Sequence, residues 1–428
     1  MDNNNLKTVL KEFLGESRYM IVLDDIWSID AWNAIKIALP NRNCGSRVLL
    51  TTRIGKVAST SYNESHGYIY EMKALSPKES WTLFCKKTFQ EKDCPPQLIE
   101  ISKSILRRCE GLPLAIVVIS GVLVSKDHGR VDEWELVNRS LGAEVESSDM
   151  KKILLLSYND LHYYLKSCLL YLSSFLEDYL IDGMSMIRLW IAEGFVEVKE
   201  FGKTLEEVAE AYLYELLNRS LIQVAGRKFE RIKSCRIHDL LREIIPSKSR
   251  DHNFLTIARE GSMRCPEKPR RLSIHKTLPD TPEQGKCFSQ LRSLLMFGVY
   301  EPMSESSMPL LFNNGLRLLK VLHLRNASLE RFPGHVVKLF HVKYLSFRGT
   351  KVKVLLNSIR LLWNLESLDL KSTYVKELPI EILRLQKLRH LLLCRNEIGH
   401  IYLPFHHKHG FEAPSKIGDL QSLQSCAS

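Results

Sequence analysis

No stretch of this chain is apolar for long enough to cross a bilayer. The longest such run, Leu112 to Val124, falls short of the roughly 20 residues a spanning helix needs and reads as a buried helix. The N-terminal stretch Met1-Asp2-Asn3-Asn4-Asn5 has no apolar h-region of a signal peptide. The ten cysteines contain no C-x-x-C pair, which argues against structural zinc and a disulfide framework and leaves reduced thiols as the simpler reading. The formal net charge is +11, yet no run of four or more basic residues concentrates it. Diffuse charge of this kind does not mark a nucleic-acid site. The full phosphate-binding loop Gly-x-x-x-x-Gly-Lys-Ser/Thr occurs nowhere. Its tail does, as Gly202-Lys203-Thr204, but Glu197 stands where the first glycine belongs and no apolar strand leads into it. Thr204 and Glu207 instead read as a capping box for a helix carrying Leu205, Val208, Ala209 and Tyr212.

What is present is ordinary in bulk. The 428 residues allow two to four domains, and 45% hydrophobic with 25% charged residues suits a soluble globular chain. The pattern is more informative. Leu6, Val9, Leu10 and Leu14 share one face of a short helix. Then Tyr19-Met20-Ile21-Val22-Leu23 runs straight into Asp24-Asp25-Ile26-Trp27. A continuous apolar run suits a strand covered on both faces, as in a parallel sheet. Trp32, Ile35 and Leu39 follow at helical spacing, with Pro40 as the expected stop. Arg47 to Leu50 forms a second strand ending in Thr51-Thr52-Arg53. Strand, helix and strand with short links make a βαβ unit, whose strands are parallel. Asp24, Asp25, Thr51, Thr52 and Arg53 therefore reach one edge, where open α/β sheets bind ligands. Two acids, two hydroxyls and a guanidinium suit a Mg²⁺-bound polyphosphate. Each also has a plain reading, with Asp24 ending a strand, Asp25 capping a helix and Arg53 in a surface ion pair.

From Leu75 the pattern turns helical. Ser76, Pro77 and Glu79 form a capping box with proline in the first turn. Trp81, Phe84, Cys85 and Phe89 share a face, a second helix covers 99–109, and Gly111-Leu112-Pro113-Leu114 opens the apolar helix. Residues 150–245 predict a helical module closing in a hairpin, Leu221–Val224 with Cys235–Ile237 joined through Gly226, in the manner of a winged helix. Its expected recognition surface lacks a dense basic row, so protein packing is the better reading. Beyond Pro266, Leu322, Leu345, Leu368 and Leu391 recur every 23 residues in an L-x-x-L-x-L frame, which identifies leucine-rich repeats. Leu272–Ile274 and Leu291–Leu295 read as irregular earlier coils. After Leu393 the phase slips by 12 residues, so that Leu423 matches Leu388. The insertion holds His400, His406, His407 and His409, which read as a solvated loop because no acid or cysteine stands at ligand spacing.

In this order the pieces resemble a plant disease-resistance protein of the NB-ARC leucine-rich-repeat family, coiled-coil class. Tyr19 to Trp27 is similar to its Walker B stretch, Gly45 to Arg53 to the next strand motif with Arg53 as sensor, and Gly111 to Leu114 to its GLPL motif. Cys168 to Tyr179 resembles its C-F-L-Y-L…F-P-E-D-Y motif, with Leu169 and Leu176 departing from the usual Phe and Pro. Ile237-His238-Asp239 resembles M-H-D. The resemblance implies a multidomain α/β fold: a partial P-loop NTPase-type parallel sheet (1–66), a helical domain (67–145), a winged helix (146–250) and a leucine-rich-repeat solenoid (262–428). It implies ADP or ATP with Mg²⁺ as cofactor, Asp24 on the metal, Asp25 polarising a water in the catalytic position, and Arg53, Pro113 and His238 reading the nucleotide. It further implies a cytoplasmic immune receptor whose repeats meet a pathogen effector or a guarded host protein and which self-associates when active. Members carry a coiled coil and a glycine-rich Walker A loop before this point, whereas eighteen residues precede the Walker B strand here. The repeats stop at Ser428 without a polar cap. The expectation is a member shortened at its N-terminus and at its C-terminus, with impaired nucleotide binding and no commitment to hydrolysis. The alternative is a nucleotide-independent interaction module made of the winged helix and the repeats. A nucleic-acid binder ranks last.

Overall fold

The computed structural model describes residues 3–15, 18–40, 45–65, 67–90, 93–142, 149–176, 179–198, 201–228, 231–258, 269–275, 288–298, 316–393 and 412–427. The histidines at 400, 406, 407 and 409 lie outside them. The chain divides into two compact units, Met1–Ala74 and Leu75–Ser428.

The first unit runs α1 (Asn3–Gly15), β1 (Met20–Leu23), α2 (Ile29–Lys36), β2 (Arg47–Leu50) and α3 (Gly55–Ser65). β1 and β2 pair in parallel, from Met20 opposite Arg47 to Leu23 opposite Leu50, as the βαβ pattern requires. Ser28 caps α2 by accepting from the Ala31 N–H at 3.1 Å, and Trp32 is its buried anchor. The helix ends at Lys36, before the expected stop at Pro40. Ala38 and Leu39 already donate three residues back, to Ile35 and Lys36, a tight last turn ahead of a proline that disfavours helix in the residue before it. The expected cover on both faces of β1 is not found. Met20 is 73% and Val22 56% exposed, and of the apolar face of α1 only Leu14 is buried. An apolar run encodes the capacity for burial, and two strands with three short helices offer too little surface to realise it.

The second unit opens with four helices, α4 (Pro77–Thr88), α5 (Ile99–Arg108), α6 (Pro113–Leu123) and α7 (Val131–Gly142). Ser76 and Glu79 form both halves of the capping box on α4. α6 is apolar all round and buried along most of its length, as such a helix must be. Phe89 stacks on Trp134, and Phe84 meets Trp134 edge to face, in the same core. α8 (Asp149–Asn159), α9 (Tyr163–Tyr171), β3 (Ile181–Asp182), α10 (Gly183–Glu193), α11 (Leu205–Asn218), β4 (Ile222–Lys228), β5 (Arg231–Ile237) and α12 (Asp239–Asp251) follow. The strands form an antiparallel sheet in the order β3-β5-β4. Gly226 is not in the hairpin turn. It lies within β4 opposite Ser234, where the register shifts, a common place for glycine in a strand. The Thr204–Glu207 capping box starts α11. Asp160 ties the helices together by accepting from Lys126 at 2.6 Å and from Arg219 at 2.8 Å. Cys85, Cys94, Cys109, Cys168 and Cys235 are free thiols. Burial holds Cys85 up to about 11 and Cys109 and Cys235 up to about 12, so these three carry no thiolate at neutral pH.

The repeats build one parallel sheet of eight strands: β6 (Thr256–Ala258), β7 (Arg271–His275), β8 (Ser293–Phe297), β9 (Val321–Arg325), β10 (Tyr344–Ser346), β11 (Ser367–Asp369), β12 (His390–Leu392) and β13 (Ser425–Ala427). Leu322, Leu345, Leu368 and Leu391 stand opposite one another in register and are fully buried. The coil-to-coil step demands the same left-handed turn each time. It falls on Asn326, Gly349 and Ser372, at φ +56°, +74° and +59°, a region that glycine and asparagine enter most readily. After the 12-residue insertion the pairing of Leu391 with Cys426 restores the frame.

The interior leucines form one core. The residues between them, on the inner face of the sheet, join the core of the winged helix instead: Leu295, Phe297, Val321 and Tyr344 cluster with α9 and α10. Phe297 meets Phe175 at 5.4 Å and Tyr179 at 5.5 Å between ring centroids. Arg271 of β7 donates to the buried Glu193 at 2.8 Å, and Ser293 donates to the same carboxylate. Ser273 donates to the Ser174 carbonyl at 2.6 Å. The winged helix therefore fills the concave side of the early coils.

Candidate functional site

The edge of the parallel pair holds the residues that the βαβ reading brings together. Thr51 donates through Oγ1 to Asp24 Oδ1 at 2.5 Å and accepts from the Asp25 N–H at 2.8 Å. One hydroxyl thus fixes both acids. Thr52 Oγ1 donates to the Ile26 carbonyl at 2.6 Å and accepts from the Ile54 N–H at 3.1 Å. Arg53 Nη2 lies 3.4 Å from each Asp25 oxygen, and its guanidinium carbon sits 4.3 Å over the Trp27 ring. The Trp27 indole N–H donates to Asp25 Oδ2 at 2.8 Å. Asp25 occupies the left-handed region, at φ +58°. Aspartate tolerates that conformation better than most residues, and the bonds from Thr51, Trp27 and Arg53 hold it there.

The geometry suits a hydrated divalent cation. Asp24 is exposed and Asp25 half-buried, and a carboxylate pair in water matches the preference of Mg²⁺ for one or two acids with waters and phosphate completing its shell. Among the described residues no group of three or more His, Cys, Asp and Glu side chains gathers to hold a metal, so phosphate oxygens would have to supply part of that shell.

Asp25→Gly is a direct test of the cluster. Arg53 and Asp25 side chains are 48% and 40% exposed, and an exposed pair contributes at most about 1 kcal/mol. Glycine relieves the positive φ, so the melting temperature should move little. Trp27 loses its acceptor and the arginine drifts from its ring, so tryptophan emission should change, with Trp27→Phe as the control for the other five tryptophans. Unaltered emission would reject the arrangement.

The other two expected site residues lie in the second unit. Pro113 is exposed at the first turn of α6. The turn before it is left-handed at both Glu110 and Gly111, φ +50° and +70°, and Leu75 clips it by donating its N–H to the Gly111 carbonyl at 2.9 Å. His238 is half-buried between β5 and α12, where its carbonyl accepts from the Leu241 and Arg242 N–H groups and starts that helix. Sequence reasoning did not find the tie from Trp27 to Asp25 and Arg53. It also missed Glu193, although an acid ending the otherwise apolar run Trp190-Ile191-Ala192 was a visible signal.

No helix among the described residues is long and apolar enough to cross a membrane. The family model of the NB-ARC domain matches residues 1–94, that of the disease resistance protein winged helix domain residues 175–245, and that of a leucine-rich repeat region residues 290–427. A late blight resistance protein homolog of Solanum demissum, R1B-16, is 34% identical over 99% of this chain and 33% of its own length. Disease resistance protein Pik-2 of Oryza sativa subsp. japonica is 33% identical over 91% of this chain and 39% of its own. Disease resistance protein RPP13 of Arabidopsis thaliana is 33% identical over 90% and 46%. The chain thus spans between a third and a half of these curated relatives.

Proposed function

From the premise that this chain belongs to the NB-ARC, winged-helix and leucine-rich-repeat family of plant disease-resistance proteins, we propose that it is part of an immune receptor that switches with bound ADP or ATP. Nucleotide binding is what the NB-ARC domain implies in general. The observation that carries the reading to this chain is the joint fixation of Asp24 and Asp25 by Thr51, with Arg53 beside them. Bound nucleotide with Mg²⁺ supplies the polyphosphate charge that tells one state from the other. Asp24 holds the cation, Asp25 orients and polarises a water, and Arg53 answers phosphate charge. Pro113 brings the start of α6 against the nucleotide, and His238 contacts its phosphates. The repeats carry the recognition of a pathogen effector or a guarded host protein, and the receptor works in the cytoplasm. The helical domain runs from 67 to 145 and the winged helix from 146 to 250.

Two measurements test this. Heat denaturation of the purified protein, followed by chromatography of the supernatant, should release ADP at less than one per chain, since no Gly-x-x-x-x-Gly-Lys-Ser/Thr loop holds the phosphates, and its complete absence would reject switching in this chain. His238→Ala should lower retained ADP at least several-fold, as loss of a charged-group hydrogen bond worth about 1.5–3 kcal/mol requires. Unchanged retention would remove His238 from the site.

A further inference from the structure

Solenoids usually take partners on their concave side, and here the winged helix already fills that side of the early coils. Val321, His323, Tyr344, Ser346, Ser367 and Asp369 all face inward and are nearly inaccessible. One surface that remains open is the lateral edge, where each coil turns into its strand. Over 316–320, 337–343, 360–366 and 383–389 the exposed charges are Arg317, Lys338, Arg360, Arg384 and Lys387, all positive. The acid of these stretches, Glu366, is half-buried and accepts from Lys343 at 2.7 Å. Between the cations stand large apolar side chains: Leu318 is 45% exposed, Phe340 50%, Leu361 43% and Trp363 54%.

The strip is pre-ordered. Lys387 Nζ lies 5.0 Å over the Trp363 ring and donates to Asn364 Oδ1 at 2.8 Å. Asn364 in turn donates to the Phe340 carbonyl at 2.8 Å. Beside it opens a cavity of about 630 Å³, whose wall combines the aliphatic Ile191, Val196 and Leu205 of the winged-helix region with Lys343, Lys387 and Arg389 of the repeats and with Glu366, whose carboxylate Lys343 already neutralises. We propose that this edge and cavity dock an acidic, aliphatic-rich extended segment of a partner protein. Coils stack about 4.8 Å apart and an extended peptide rises about 3.3 Å per residue, so four coils match a segment of about five residues. Carboxylates would meet the arginines and lysines, and aliphatic side chains the leucines and the cavity. A flat bilayer cannot enter a recess between two elements, and the aliphatic patch of Ile191, Val196 and Leu205 on its wall gives peptide side chains a contact that phosphates cannot use.

The inference deepens, and rests on, the reading that the repeats carry partner recognition. Its test uses the full chain and a fluorescein-labelled decapeptide of alternating glutamate and leucine. Saturable binding is expected, at least tenfold weaker for Trp363→Ala and for the pair Arg384→Glu with Lys387→Glu, and absent for the lysine–leucine counterpart. All three positions are solvent-facing, so the melting temperature should stay unchanged and report intact folding. Equal peptide affinity for the variants overturns the proposal. So does a preference for phosphatidylserine vesicles or oligothymidine that the same variants abolish. A chain that binds the peptide but releases no ADP overturns the switch alone, and one that releases ADP but ignores the peptide overturns the strip alone.

Discussion

Glu193→Ala is expected to cost on the order of 3–5 kcal/mol, because it strands a buried cation rather than deleting a surface contact. The Glu193 side chain is wholly inaccessible and that of Arg271 is 10% exposed. Glu193 is also the last residue of α10, where the helix dipole disfavours an acid, so its placement makes sense only through its partners. Arg271 donates to it, lies 4.3 Å over Phe254 and 5.0 Å over Phe195, and cannot reach water without leaving the interface. Removal of the carboxylate should therefore loosen the winged helix from the repeats before either part unfolds. Urea denaturation and limited proteolysis of the joint between α12 and β7 read the two effects. The control is the double replacement Glu193→Leu with Arg271→Met, which removes both charges and should recover most of the loss. If the single variant matches the wild type, or the double is as unstable as the single, the pair does not hold the interface.

That interface was the least legible part of the molecule, and the reason is physical. Strand periodicity marks which residues share a face but not what covers that face. The leucines at 322, 345, 368 and 391 announced themselves because each coil repeats the same burial. Val321 and Tyr344 lie on the opposite pleat, and their cover comes from α10, more than a hundred residues earlier in the chain. The strand β6 was not foreseen either, since three residues, Thr256 to Ala258, are too few to show an alternation. Local chemistry read well. The boxes at Ser76 and Thr204 formed as spaced, because a cap needs only its own first turn. At the candidate site, the meeting of Asp24, Thr51 and Arg53 followed from parallel strands alone. The left-handed turn at Asp25 did not, because it depends on three side chains that hold it from outside. Pro113 and His238 entered by resemblance, since neither spacing nor composition sets a proline or a histidine apart.

Acidification provides the second large test. His323 on β9 is completely buried, 5.2 Å from the Phe297 ring and 6.0 Å from that of Tyr344. Burial, reinforced by Arg325 and Arg348, drives its pKa down from 6.5 to about 3. The unfolded chain therefore binds a proton that the folded one refuses, so stability is full above pH 6.5 and falls as the pH drops from 6.5 toward 3. At about 1.4 kcal/mol for each pH unit, the loss by pH 4.5 is roughly 2–3 kcal/mol. Asp369, on the same inner face, acts in the opposite sense: burial raises its pKa, so protonation as the pH falls toward 3.8 relieves a cost and offsets part of the histidine's effect. The variant His323→Phe separates the two. Neither imidazole nitrogen has a hydrogen-bond partner among the described residues, so an apolar ring of similar size should raise stability at neutral pH by about 1–3 kcal/mol. It should also remove the histidine's share of the acid slope while leaving that of Asp369. Denaturation midpoints at pH 7.5, 6.0 and 4.5 for both proteins decide the matter. Parallel pH profiles would mean that His323 takes its proton in the folded protein as readily as in the unfolded chain, and would overturn the burial argument.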